Sequence, residues 1–225
     1  MRTTHVVRGG EWMSSVPLHY DLFKAFGYKM PKYIHTSLIL KKDGDTIRKI
    51  SKRKDPEALM FYYEEKGYPT LAVIDAVLTI ANSSFEEWRT NTPDKPFYEF
   101  PFSPKKMSSS GALFDLDKLD NISKNYISKM NASELYEEYL AWAKKYDEHV
   151  YELISKYKDD TITFLNIERE TKKPRKDYEN YINIFPKTWY IYDEEWNKEL
   201  NYDFAKITDK EEIDFRYTYI MKGLK

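Results

Sequence analysis

Two stripes of apolar side chains at helical spacing dominate the second half of the 225-residue sequence. Apolar residues that recur every three or four positions lie on one face of an α-helix. Asn131, with Glu134 three residues on, predicts a capped N-terminus for the second stripe. The stripes therefore predict a helical domain in this half of the chain. They comprise Leu116, Leu119, Ile122, Tyr126 and Met130, then Leu135, Tyr139, Trp142, Tyr146, Val150 and Leu153.

The first 90 residues mix strand and helix patterns. This order is typical of the end of an α/β domain that is followed by an all-α one. The expected fold is mainly α with a small β component, divided into residues 1–90, a connector at 91–130 and an incomplete helical domain at 131–225. The predicted elements begin with a strand at 3–7, a helix opened by Ser14 and Ser15 and closed by Gly27, and a strand at 33–40. A polar loop at 41–54 follows, and then a helix from Asp55 to Gly67. Two more helices are predicted, one from Pro69 with an apolar stripe of Leu71, Ile74, Val77, Leu78 and Ala81, and one capped by Ser83 and Glu86.

Composition excludes several classes of protein. The sequence has no cysteine, which rules out disulfides and cysteine-ligated zinc, and its four scattered histidines form no metal motif. No run of about 18 apolar residues exists, so we expect no membrane span. The formal net charge of −1 gives no overall attraction to nucleic acid. These features predict a cytoplasmic protein without a metal-binding site of its own.

The polar loop contains the basic pentapeptide Lys49-Ile50-Ser51-Lys52-Arg53. Cationic side chains around a serine, on a loop between a strand and a helix, suit a polyphosphate whose charge grows as pyrophosphate leaves. On composition alone, an ordinary solvated basic loop is the simpler interpretation.

The surrounding residues connect this loop to a known family. The pentapeptide resembles the KMSKS signature of class I aminoacyl-tRNA synthetases, in the KLSKR form of the glutamyl enzymes. Upstream, residues 8–12 (RGGEW), 14–19 (SSVPLH) and 25–27 (AFG) are similar to the glutamyl-tRNA synthetase run R-G-x-E-W-x-S-S-x-P-x-H and its A-F-G helix end. The resemblance covers residues 1 to 130 well and continues loosely beyond them, where the family's connector meets the tRNA stem and its helical domain reads the anticodon.

The resemblance implies roles for nine residues. Lys52 matches the catalytic lysine that binds ATP phosphates, and Lys49 is a second catalytic candidate. Arg8 matches the arginine that binds a carboxylate of the substrate glutamate, a task that suits a guanidinium fork. The remaining matches lie at ATP-binding positions: Ser51, Arg53, Glu11, Trp12, Leu38 and Ile39.

The implied parent protein is a monomeric glutamate–tRNA ligase. It uses ATP, with Mg²⁺ bound through the phosphates, and its partners are glutamate and tRNA(Glu). The family's first signature, H-x-G-H, is absent from this sequence. We therefore expect truncation upstream of residue 1 and no activity from this piece alone.

Several alternatives stay open at this stage. The chain could be a non-catalytic helical RNA-binding or assembly module with a vestigial loop, or a piece of a glutaminyl enzyme. Arg8 could serve a surface ion pair, and Trp12 could simply pack in a core. We interpret His19 and His35 as packing or capping residues. The basic stretch from Arg169 to Lys176 could contact tRNA phosphates or form a solvated loop.

Overall fold

A computed structural model describes residues 2–108 and 111–196, with isolated positions at 211, 214, 215 and 218. The chain divides into two compact units, residues 1–188 and 189–225. The domain boundaries predicted near residues 91 and 131 stay predictions. The part of the predicted helical domain that follows residue 196 lies outside the described residues, apart from those isolated positions.

The described part is mainly helical with two small sheets, which confirms the predicted fold class. No helix in this part is both long and apolar enough to cross a bilayer. The strands are β1 (His5–Gly9), β2 (Lys32–Thr36), β3 (Ile39–Asp43), β4 (Thr46–Lys49) and β5 (Ala112–Leu113). The helices of the first unit are α1 (Val16–Ala25), α2 (Met60–Lys66), α3 (Thr70–Ala81), α4 (Phe85–Asn91), α5 (Leu116–Lys129), α6 (Ala132–Tyr146), α7 (Glu148–Lys156), α8 (Lys158–Leu165) and α9 (Phe185–Thr188). The second unit has α10 (Asp193–Trp196).

The chain begins with a βαβ unit, in which α1 connects the parallel strands β1 and β2. Pro17 lies in the first turn of α1, and Gly27 ends the helix region with φ of +66°, as the sequence predicts. The capping role predicted for the serines is wrong. Ser15 Oγ donates to the Trp12 carbonyl (2.8 Å) and makes no side-chain cap of α1.

The structure differs from the prediction of one strand at 33–40 followed by a polar loop at 41–54. The strand breaks at Ser37 and Leu38, and β3 pairs instead with β4 in an antiparallel hairpin that turns at Gly44. On its other side β3 pairs in parallel with β5, where Ile39 is opposite Ala112. The hairpin has no alternation of apolar residues, and its β5 partner is distant in sequence, so the local pattern did not reveal it.

The helical prediction holds with local corrections. Asn131 and Glu134 form the predicted capping box of α6. The segment after Asp55 is not one helix but a 3₁₀ turn at Pro56–Ala58 followed by α2. The Ser83–Glu86 cap is wrong, because Ser83 Oγ donates to the Lys106 carbonyl. In α3 the buried apolar residues are Ala72, Val73 and Ala76, whereas Leu71 and Val77 of the predicted stripe are about half exposed.

Gly67 lies where α2, α6 and the 3₁₀ turn at Tyr181–Asn183 converge. Its φ is +74°, and a Cβ there would lie 2.7 Å from Tyr181 Cβ and 3.0 Å from Trp142 Nε1. We expect Gly67→Ala to lower the free energy of unfolding by about 3 kcal/mol, from backbone strain plus overpacking. Urea denaturation followed by circular dichroism measures this change.

Gly44 provides the matched control. Its φ is +60°, but a Cβ would meet nothing within 4 Å. Gly44→Ala therefore carries only the backbone strain, about 1 kcal/mol. Equal destabilisation by the two substitutions would contradict the packing described at Gly67.

Candidate functional site

A cleft of about 730 Å³ opens between the hairpin and its following loop on one side and the end of β1 on the other. Its apolar floor includes Met60, Tyr63, Val77, Ile80 and Phe114. Six of the nine residues predicted from the sequence line this cleft: Glu11, Leu38, Ile39, Lys49, Ser51 and Lys52.

The basic loop is closed at its base by Asp55. The Ser51 amide donates to Asp55 Oδ2 (2.8 Å), and the Asp55 amide donates back to the Ser51 carbonyl (2.8 Å). Arg48 binds the same carboxylate bidentately, with N···O distances of 2.7 and 2.8 Å. Because Asp55 is only 1% exposed, these contacts fix both ends of the loop in one place.

A second buried carboxylate completes the network below the loop. The Lys41 ammonium contacts both Glu57 and Asp55, and Tyr63 donates its hydroxyl to the Glu57 carbonyl (2.5 Å). Hydrogen bonding from Arg48 holds the pKa of Asp55 well below its ordinary 3.8, despite burial. The Glu57 hydrogen bond raises the pKa of Lys41. The two carboxylates and the two cationic side chains thus neutralise one another beneath the loop.

Lys52 takes no part in this network. Lys52 is exposed, lines the cleft, and its ammonium group forms no ion pair with any residue in the described part of the chain. Lys49, at the end of β4, is also exposed and lines the same cleft. The loop can therefore present two cationic groups to an anionic ligand.

The opposite wall is formed by the segment that follows β1. The Glu11 side chain folds over Gly9, where a Cβ would come within 2.2 Å of Glu11 Oε2. Gly10 lies close to the Thr36 carbonyl, 3.2 Å from an added Cβ. Both glycines therefore allow close backbone approach, and the Glu11 carboxylate lines the same cleft as the two lysines.

Leu38, at the break between β2 and β3, and Ile39, the first residue of β3, also line the cleft. The Leu38 carbonyl accepts the Ala112 amide (3.1 Å), and the Ile39 carbonyl accepts the Ile50 amide (3.0 Å). The hairpin and β5 thereby hold this segment of the cleft in place.

Arg8 is adjacent to the cleft wall but does not line the cleft. Its Nε donates to His35 Nε2 (3.2 Å), and its Nη1 lies 3.2 Å from His19 Nε2. The guanidinium carbon stands 4.7 Å from the centre of the Tyr33 ring. His19 and His35 are half-buried and lie against the Tyr33 ring, which agrees with their interpretation as packing residues, and both also contact Arg8.

Other predicted residues lie outside the cleft. Trp12 is 55% exposed, so it does not pack in a core of the described part, and neither Trp12 nor Arg53 lines the cleft. In the basic stretch, the Arg169 side chain makes hydrogen bonds within the fold. It donates to the carbonyls of Ile127 and Met130 at the end of α5 (2.6 and 3.0 Å), while Lys172, Lys173, Arg175 and Lys176 are exposed.

Asp55 and its partners are the site residues that sequence reasoning missed. The sequence places Asp55 before Pro56, a typical helix start, and that local signal obscured its contact with Ser51. Lys41 and Arg48 are opposite each other in β3 and β4, which is visible only once the strand pairing is known.

The glycine-containing end of β1 and the cationic loop line one cleft, which gives this mainly α protein a site suited to an anionic ligand. Residues 1–121 match the family described as class I tRNA synthetases (E and Q), catalytic domain. The chain therefore belongs to the class I tRNA synthetase family, in the group of glutamate and glutamine enzymes.

Individual relatives agree with this assignment. A glutamate–tRNA ligase of Clostridium perfringens is 47% identical over 199 residues, which are 88% of this chain and 36% of the relative. The ligase of Acetivibrio thermocellus is 49% identical over 194 residues, 86% of this chain and 36% of that protein. The chain thus spans about a third of the length of these relatives.

Solved structures show the same fold. A glutamate–tRNA ligase from Elizabethkingia meningosepticum, in complex with its amino acid, superposes with a TM-score of 0.63 at 22% identity. The match covers 84% of this chain and 38% of that structure.

Proposed function

We propose that this chain forms part of a glutamate–tRNA ligase and supplies one side of its ATP site. The observation that carries the proposal is that Lys49, at the end of β4, and Lys52, on the fixed loop, line the same cleft as Gly9 and Glu11. The alternative of a solvated basic loop does not account for a loop base held by four charged side chains.

Lys52 and Lys49 are the residues that we assign to the triphosphate. Their charges offset the negative charge that builds on the phosphates as pyrophosphate departs, so they stabilise the transition state more than the bound substrate. Ser51 shapes the loop through the hydrogen bond that its backbone N–H donates to the Asp55 carboxylate, and Arg53 is exposed beside it. Mg²⁺ enters with ATP, bound to phosphate oxygens as is usual for this ion.

The nucleoside is assigned to the opposite side of the cleft. The Glu11 carboxylate can accept hydrogen bonds from ribose hydroxyls, and it would repel phosphates placed there. Leu38 and Ile39 offer an apolar edge and backbone for adenine. Trp12, exposed beside Glu11, offers a large ring next to the same region.

Arg8 is assigned to a carboxylate of the substrate glutamate. Its Nη2 is buried and has no hydrogen-bond partner among the described residues. A buried, unpaired guanidinium nitrogen is costly unless a ligand completes it.

The proposed reaction has two steps. A glutamate carboxylate oxygen attacks the α-phosphorus of ATP, which forms glutamyl-adenylate and releases pyrophosphate. A hydroxyl of the terminal ribose of tRNA(Glu) then attacks the activated carbonyl, and AMP leaves. We further propose a monomeric, cytoplasmic ligase, in which positioning and charge neutralisation account for most of the rate enhancement.

A chimera tests the function directly. The matching 199-residue segment of the Clostridium perfringens ligase is replaced by the corresponding residues of this chain, and ATP–pyrophosphate exchange is measured. We expect exchange that depends on glutamate and not on glutamine. The isolated 225-residue chain should give no exchange, because its sequence lacks H-x-G-H.

Two results would contradict the proposal. A folded chimera that binds tRNA without exchange would favour a non-catalytic RNA-binding module. Exchange driven by glutamine in place of glutamate would favour the glutaminyl branch of the family.

A further inference from the structure

Three aromatic side chains surround the Arg8 guanidinium, and the sheet register explains why. Arg8 is paired with His35 across the parallel strands β1 and β2, so both side chains project from the same face of the sheet. Tyr33 precedes His35 by two residues and shares this face. His19, in α1, covers the face from above and lies 6.0 Å from the Tyr33 ring centre.

The chemistry of arginine settles which nitrogen of each histidine is protonated. A guanidinium has five N–H donors and no acceptor. Both contacts from Arg8 end on an Nε2 atom, at 3.2 Å in each case. Each Nε2 must therefore carry a lone pair, and each neutral ring must carry its proton on Nδ1.

We infer that His19 and His35 are positioning residues for Arg8, each held as the neutral tautomer with its proton on Nδ1. The two imidazoles accept from Nε and Nη1, and Tyr33 stacks against the guanidinium face. The fork is thus fixed in one orientation, with Nη2 left for a ligand.

The neutral histidines affect how strongly Arg8 can bind an anion. An arginine held by two carboxylates would be neutralised and would bind a substrate anion weakly. Neutral imidazoles orient the guanidinium and leave its positive charge available. The role in substrate binding rests on the proposed function, since it assumes that Arg8 binds the glutamate carboxylate.

The tautomers can be measured without any activity. Long-range ¹H–¹⁵N NMR of the labelled chain at neutral pH distinguishes protonated from unprotonated ring nitrogens. We expect His19 and His35 to have Nδ1–H and bare Nε2. His5, whose ring contacts the Thr4 hydroxyl, is the internal comparison.

Substitution of the arginine shows whether it sets the tautomers. Arg8→Leu should shift the Nε2 signals of both histidines toward the mixture seen in free imidazole, whereas Arg2→Leu should leave them unchanged. Protonated Nε2 in either ring of the folded wild-type chain, or signals indifferent to Arg8→Leu, would overturn the inference.

The positioning role is tested in the chimeric ligase with matched variants. His35→Leu removes the acceptor, and we expect it to raise KM for glutamate roughly 10-fold to 100-fold with kcat little changed. His35→Gln restores an acceptor oxygen and should recover most of the affinity. The same pair of substitutions at His19 should behave alike.

Kinetics also separate the two proposals. A fall in kcat without a change in KM would overturn the positioning role. So would a His→Gln variant whose KM for glutamate is as high as that of the His→Leu variant. If Arg8→Leu also leaves KM for glutamate unchanged, the failure belongs to the assignment of Arg8 as the glutamate-binding residue.

Discussion

Replacing Lys52 by alanine slows glutamyl-adenylate formation by the chimeric ligase by roughly 10²- to 10³-fold, the cost of removing one preorganised charge-stabilising donor. The lysine is exposed in the cleft and has no carboxylate partner among the described residues, so its removal leaves the folded network untouched. We therefore expect an unchanged thermal midpoint together with the loss of rate. Glutamate-dependent ATP–pyrophosphate exchange measures the rate.

Lys54→Ala is the matched control. Lys54 is also exposed and carries the same charge two residues away, but it does not line the cleft. We expect its exchange rate to stay within about threefold of the wild type, a change below 1 kcal/mol in activation free energy. Equal losses for the two variants would show that the loop acts only through its total charge.

Replacing Asp55 by asparagine has the second large effect, this time on stability. The substitution keeps the size of the side chain but places an NH₂ group and a neutral oxygen against Arg48 and Lys41. Two cations then remain near a buried site without their shared anion. We expect the thermal midpoint to fall by roughly 10 °C, as measured by calorimetry.

The effect of Asp55 also has a pH signature. Because folding lowers the pKa of Asp55, its stabilising contribution is fully present above the ordinary value of 3.8 and is lost as pH falls below it. The difference in stability between wild type and Asp55→Asn should therefore narrow on acidification.

Asp45→Asn is the control for this charge change. Asp45 is exposed in the hairpin turn, so its replacement should shift the midpoint by about 1 °C or less. A difference between wild type and Asp55→Asn that widens as pH falls would contradict the network described below the loop.

Local signals in the sequence predicted the elements whose ends are set by single residues. Gly27 ends the α1 region, Pro69 precedes α3, and Asn131 caps α6, because backbone conformation and orphan amides at those positions depend on the residue itself. Motif resemblance in turn pointed to the six predicted residues that share the cleft. These predictions needed no knowledge of distant contacts.

Several of the errors involve contacts between distant segments. Strand β3 pairs on one side with the distant β5, and the exposure of Leu71 depends on which helices pack against α3. The contacts of Asp55 with Ser51 and Arg48 are closer in sequence, but the helix-start signal at Asp55-Pro56 obscured them. The partner of His35 is fixed by strand register with Arg8, 27 residues away, and no periodicity in the sequence encodes that register.

The central claim is that the basic loop and the segment after Arg8 bind one triphosphate nucleotide between them. The most direct test is titration of the ¹⁵N-labelled chain with Mg·ATP while backbone amide shifts are followed. We predict that Ser51 and Lys52 move together with Gly9 and Glu11, with a single dissociation constant. Shifts confined to the loop, or to the exposed lysines at 172–176, with Gly9 and Glu11 unchanged, would contradict it.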